Sequence, residues 1–138
     1  MTASDLTAAV AAVYDIWMRT VDEISPVLTE HRLTTATFQA LWAIAPDEEA
    51  PSMKVLAERL YCNAPNLTFM TNQLTDRGLV ERVVDPADRR SRVLVLTAKG
   101  REVRDEVVRA VLEKTPLGGL SEDELRQLTG LLSRAVRR

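Results

Sequence analysis

VERVVDPADRRSRVLVLTAKG, residues 80–100, sets an arginine-rich reversal between two valine-rich runs. Residues rich in Val and Leu on either side of a Pro- and Asp-containing turn read as two strands of a hairpin, near 79–84 and 92–96, with DPADRRS as the loop. Arg89, Arg90 and Arg92 fall within four positions at that reversal, so the densest positive charge in the chain sits at the tip of a two-stranded ribbon. The segment just before it decides what the ribbon is attached to. SMKVLAERL (52–60) places Val55, Leu56 and Leu60 on one side of a short helix. After Tyr61 and Cys62, Asn63 is a suitable N-cap for a second helix from Ala64 to Arg77, with Pro65 tolerated in its first turn and Gly78 as the residue after its end. Helix, tight turn, helix and hairpin is a winged helix-turn-helix.

Working outward, Leu6, Val10, Val13, Trp17, Val21, Ile24 and Leu28 recur at spacings of three and four, the stripe of one long helix with Ser4 as its N-cap. Pro26 has no amide hydrogen, so the helix is expected to kink or end near it. A second helix fits 35–45, capped by Thr34 and carrying Phe38, Leu41 and Trp42. Beyond the hairpin, Thr97 caps a helix over about 98–114 with Val103, Val107, Ala110 and Val111 inward. TPLGG interrupts it, and Ser121 with Glu124 forms a capping box for a last helix, 122–136, presenting Leu125, Leu128, Leu132 and Val136. The fold class is therefore mainly α with a small β-hairpin wing.

Composition narrows the function classes. The 138 residues, 46% hydrophobic and 28% charged, suit one globular domain. No apolar run approaches the roughly 18 residues of a membrane span, and MTASDLTAAV lacks the basic start of a signal peptide. One cysteine and one histidine argue against a disulfide framework, a zinc site or nucleophilic catalysis, and there is no phosphate loop or nucleophile elbow. Neither an enzyme nor a metal or other cofactor is expected, and the composition suits the cytoplasm. The net charge of −2 is unevenly spread: residues 1–50 carry two basic against eight acidic side chains, so the surplus of positive charge lies in 51–138. Such segregation favours a polyanion for one face.

The order of elements resembles the multiple antibiotic resistance regulator (MarR) family of winged-helix transcription factors, through LTTATFQALWAI (33–44), LAERL (56–60) and QLTDRGLVERVVDPADRRSRVLVLTAKG (73–100). The spacing from Gly78 through Asp88 and Arg90 to Leu96, Thr97 and Gly100 is its most specific part. The resemblance implies one MarR-type domain over 1–138, with 1–33 and 115–138 as dimerisation helices around a winged helix-turn-helix lobe at 34–114. It further implies a homodimer that binds palindromic double-stranded DNA as a repressor, and release by a small aromatic ligand. The dimer would be sealed by Leu6, Val10, Val13, Leu125, Leu128, Leu132 and Val136. The alternative is a winged-helix module that binds protein.

Each side chain then has an expected role. Arg90 would enter a minor groove, where arginine is favoured by the enhanced negative potential, with Asp88 orienting it or a neighbour, and Arg89 and Arg92 against the backbone. The alternative for this loop is local pairing of its arginines with Asp85 and Asp88. On the second helix of the pair, Leu67, Met70, Thr71 and Leu74 should face the core, leaving Pro65, Asn66, Thr68, Phe69 and Asn72 outward to meet base edges. No lysine or arginine lies between Leu60 and Asp76, whereas many members of the family carry a basic residue where Phe69 stands. Ser52, Lys54 and Asn63, at helix starts, are candidate phosphate contacts. Tyr14, Trp17, Phe38 and Trp42 are candidate walls for the ligand in a chain only 4% aromatic. Cys62 reads as a buried small hydrophobe and His31 as a surface or capping residue.

Overall fold

The structure is a computed structural model that describes residues 3–137. Its elements run α1 (Ala3–Glu30), α2 (Thr35–Ala43), α3 (Met53–Leu60), α4 (Ala64–Asp76), β1 (Val80–Asp85), β2 (Asp88–Leu96), α5 (Ala98–Lys114), a 3-10 turn (Pro116–Gly119) and α6 (Glu122–Val136). The mainly helical fold with a two-stranded antiparallel wing is the one the sequence implies. The chain forms two compact units, 1–24 with 110–138, and 25–109. These boundaries fall inside α1 and α5.

Side-chain caps set most helix starts. Thr34 and Thr37 form a reciprocal capping box at α2, Ser52 accepts from the Val55 amide at α3, and Asn63 accepts from the Asn66 amide at α4. Ser121 and Glu124 form the expected box at α6. There the backbone amide of Ser121, and then its hydroxyl, hold the Glu124 carboxyl below the usual carboxylate range. α1 begins at Ala3, which places Ser4 in its first turn.

The helix α1 does not end at Pro26. It continues to Glu30 with Leu28 buried, and closes when Arg32 turns left-handed (φ 55°) and the Leu33 amide donates to the Leu28 carbonyl. One missing amide at Pro26 costs a single helical bond, which the packing of Leu28 and Leu33 outweighs.

Unit 25–109 holds a core of Leu41, Leu56, Leu67, Leu74, Leu79 and Leu94, each at most 1% exposed. Three arginines from distant positions supply the donors that helix C-termini lack. Arg77 donates to the carbonyls of His31 and Arg32 beyond α1. Arg59 reaches the Ala43 carbonyl at 2.9 Å. Arg104 reaches Leu41 and Trp42 at 3.2 and 2.9 Å. Part of the positive surplus in 51–138 is therefore structural, not a surface offered to a polyanion.

The wing is tied to the helices at two points. The Leu94 amide donates to the Pro51 carbonyl at 2.9 Å, and Ser52 forms a bridge with Val93, so the start of α3 lies along β2. At the other end, the Thr97 hydroxyl donates to the Gly78 carbonyl at 2.6 Å and accepts from the Gly100 amide at 3.0 Å. Gly78 is left-handed at φ +73°, and a Cβ on Gly100 would fall 1.8 Å from the Leu79 carbonyl oxygen. The Gly78, Thr97 and Gly100 spacing is thus one knot joining the end of α4, β2 and α5.

In the helical unit, α6 has no buried residue. Leu6 (53% exposed), Val10 (60%), Val13 (55%), Leu132 (40%) and Val136 (79%) are all open to solvent, while Leu125 and Leu128 are half-buried. Among the described residues, no helix is long and apolar enough to cross a membrane.

Candidate nucleic-acid interface

The face of α4 divides as its spacing requires. Leu67, Thr71 and Leu74 are buried and Met70 half-buried, while Pro65, Asn66, Thr68, Phe69, Asn72 and Gln73 are exposed. Phe69 keeps 65% of its surface open. With Asn66 it borders a cleft of about 420 Å³ between α4 and α2, whose other side includes Thr34 and Leu60. Tyr61 takes a left-handed conformation (φ 53°) that closes α3 and turns the chain into α4.

Cys62 lies in that turn and is half-buried, not the fully buried hydrophobe expected, because it lines the surface clefts flanking α4. His31 is also more than a surface residue: its Nε2 lies 2.6 Å from a carboxylate oxygen of Glu106. Neither position signals its partner in the sequence, since Glu106 lies 75 residues away.

The wing is tighter than its sequence suggests. β1 reaches Asp85 and β2 begins at Asp88, leaving Pro86 and Ala87 as the reversal, with a register irregularity between Val84 and Asp85. Arg89, Arg90 and Arg92 therefore belong to β2 and not to a loop. Two aspartates shape this tip through the backbone. Asp85 accepts from the Ala87 amide at 2.9 Å, and Asp88 from the Arg90 amide at 3.0 Å. Asp88 thus fixes the Arg90 backbone. Among the described residues, no ion pair joins Arg89, Arg90 or Arg92 to an acid. The local-pairing alternative for these arginines has no such bond behind it.

A residue that the sequence did not single out connects wing and helix. Arg82 on β1 donates through one nitrogen, Nη2, to Thr71 Oγ1 at 2.9 Å and to Asn72 Oδ1 at 2.5 Å. Its partners lie ten and eleven residues earlier in another element, so periodicity gives no sign of them. Ser52 and Asn63 use side-chain oxygens as caps, and Lys54 is exposed at the start of α3.

The four aromatic candidates differ in environment. In unit 25–109, Phe38 is buried at 3% exposure and meets Trp42 edge-on at 5.8 Å and 81°, while the Arg104 guanidinium lies 5.8 Å from the Trp42 ring centre. Tyr14 and Trp17, in the helical unit, are 65% and 40% exposed. Among the described residues, no group of three or more His, Cys, Asp or Glu side chains could hold a metal ion.

A capped helix-turn-helix followed by a hairpin tied to its first helix defines a winged-helix protein. Residues 32–91 match the MarR family model, so the winged-helix part of the chain is similar to that family. The transcriptional repressor CouR, bound to a 23-mer DNA duplex, is 26% identical, with 99% of each chain covered and a TM-score of 0.74. BpsR of Bordetella bronchiseptica, described in terms of regulation of its DNA binding by 6-hydroxynicotinic acid, is 25% identical over 93% of this chain and 92% of its own, at 0.70. CouR of Rhodococcus jostii bound to p-coumaroyl-CoA, at 21% identity, covers 92% and 91% with a TM-score of 0.79 and speaks for the fold.

Proposed function

We propose that this protein is a transcriptional regulator that binds double-stranded DNA as a homodimer, as a repressor acting on a palindromic operator in the cytoplasm. The reading rests above all on one observation. The exposed side chains of α4 stand beside a wing whose Arg89, Arg90 and Arg92 make no ion pair among the described residues. Always-charged guanidinium groups with open donors suit a minor groove or phosphates, and Asn66, Thr68, Phe69 and Asn72 offer an amide, a hydroxyl and an aromatic edge to bases. Lys54 and the α3 and α4 N-termini capped by Ser52 and Asn63 would contact phosphate. The similarity to CouR, described as bound to a DNA duplex, supports the DNA-binding reading. Apolar faces on α1 and α6 supply the surface for a second copy. A small aromatic effector, on the precedent of BpsR with 6-hydroxynicotinic acid, is the expected class of ligand, with Tyr14 and Trp17 as candidate contacts within the helical unit and Phe38 and Trp42 within unit 25–109.

Selection of bound fragments from genomic DNA by the purified protein, followed by sequencing, tests the reading: a shared inverted repeat supports it, and the absence of any enriched sequence refutes it. An exposed Phe69 on a helix without lysine or arginine between Leu60 and Asp76 favours the second reading, a protein-interaction module, which predicts no enrichment.

Arg90→Ala should weaken specific binding by about 1–3 kcal/mol per half-site, by analogy with base-edge contacts, while an exposed substitution of this kind shifts stability by no more than about 0.5 kcal/mol. Fluorescence anisotropy and thermal melts measure the two quantities; unchanged affinity would remove Arg90 from the interface. Lys54→Ala should weaken binding to every sequence alike and flatten the dependence on salt, whereas Asn66→Ala should alter base preference. Titrations at several salt concentrations separate these outcomes.

A further inference from the structure

We infer that Arg82 is a positioning residue for sequence readout: it fixes which end of the Asn72 side chain faces DNA and so makes Asn72 select guanine. The inference rests on the DNA-binding reading above. A guanidinium only donates hydrogen bonds, so the Asn72 atom 2.5 Å from Arg82 Nη2 must be the carbonyl oxygen; the flipped amide would set donor against donor. The two hydrogens of Nη2 match its two acceptors, Asn72 Oδ1 and Thr71 Oγ1. Thr71 is itself immobile, being fully buried, with its hydroxyl donating to the Thr68 carbonyl at 3.1 Å. Arg82 is fixed from its other side by the β1–β2 ladder, where it pairs with Leu94. The wing thus holds the Asn72 oxygen, and the amino group is the end left to present outward.

Asparagine reads adenine through two bonds at once, accepting from N6 and donating to N7. With one lone pair of the oxygen taken by Arg82 and a cation beside the other, Asn72 is biased to read through its amino donors. The guanine edge, with N7 and O6 side by side, is the one that presents two adjacent acceptors and no donor. The positive charge of Arg82 favours the same edge.

The test is selection from a randomised DNA library with the full-length protein and its variants. Asn72→Ala should flatten the preference at one position of each half-site, which identifies the base it faces. At that position the wild type should favour guanine over adenine by about tenfold, within the range of one good base contact. Arg82→Ala, and Arg82→Met with its aliphatic stem retained, should shift that position toward adenine and leave the others as they were. Arg82→Lys, which keeps a donor, should retain guanine. A loss of general rigidity would instead lower affinity at all positions together. A wild-type preference for any base other than guanine there overturns the inference. So does a position that Asn72→Ala leaves unchanged, or a preference indifferent to Arg82. These failures leave the DNA-binding reading standing if the wild type still enriches a sequence; a wild type that enriches none ends both.

Discussion

Gly100→Ala should destabilise the 25–109 unit by about 3 kcal/mol or more, at the upper end of overpacking costs, and lower its melting temperature by on the order of 10 °C. The added Cβ would stand 1.8 Å from the Leu79 carbonyl oxygen, a distance no Cβ adopts, and the obstacle is backbone and not a flexible side chain. That carbonyl also accepts from the Thr97 amide at 3.1 Å, so moving it disturbs the join between β2 and α5. Gly130→Ala is the control. A Cβ there meets nothing within 4 Å, and alanine in a helix interior is favoured over glycine by roughly 0.5–1 kcal/mol. Thermal unfolding followed by circular dichroism compares the two. Equal melting temperatures would mean that the α4–wing–α5 join yields more readily than its packing implies.

Leu128→Glu combined with Leu132→Glu should convert the protein to monomers and reduce operator affinity by at least about a hundredfold, since two tethered lobes gain at least that much over one. α6 buries none of its residues, and Leu6, Val10 and Val13 of α1 are more than half exposed. Apolar surface of that continuity is seldom left to water in a monomer. The sequence had marked both stripes; Met18 (47%), Leu112 (65%) and Leu131 (63%) extend the exposed apolar surface beyond it. Sedimentation velocity reports the oligomer, circular dichroism shows that helicity survives, and anisotropy reports binding. A double variant that remains dimeric would move the interface away from α6. A wild-type monomer that binds a half-site tightly would end the dimer proposal.

Where the sequence was legible, the information was local. Thr34, Ser52, Asn63 and Ser121 each sit next to the amides they cap, so helix starts followed from residue type and a three-residue offset. The α4 faces followed from periodicity, because Leu67, Thr71 and Leu74 share one side. What stayed hidden depends on partners far along the chain. Arg59, Arg77 and Arg104 looked like part of a basic surface, yet they terminate helices 16 to 63 residues away. Pro26 looked like a stop because propensity cannot weigh one lost hydrogen bond against the burial of Leu28. Arg82 looked like an outward charge on a strand, and only its contact with Thr71 and Asn72 gives it a role.

The unpaired state of the wing-tip arginines has a kinetic consequence. A guanidinium already joined to a carboxylate must break that pair before it meets a phosphate, and the released acid then repels the incoming strand. Arg89, Arg90 and Arg92 have no such partner to leave among the described residues, so capture requires no exchange of ions within the protein. At long range the chain as a whole, at −2, is weakly repelled by DNA. Within about one Debye length, roughly 8 Å at physiological salt, the wing tip reverses that sign locally. On the proposed DNA-binding reading, productive collisions are those that arrive wing first, and the association rate carries a geometric filter before any base has been read.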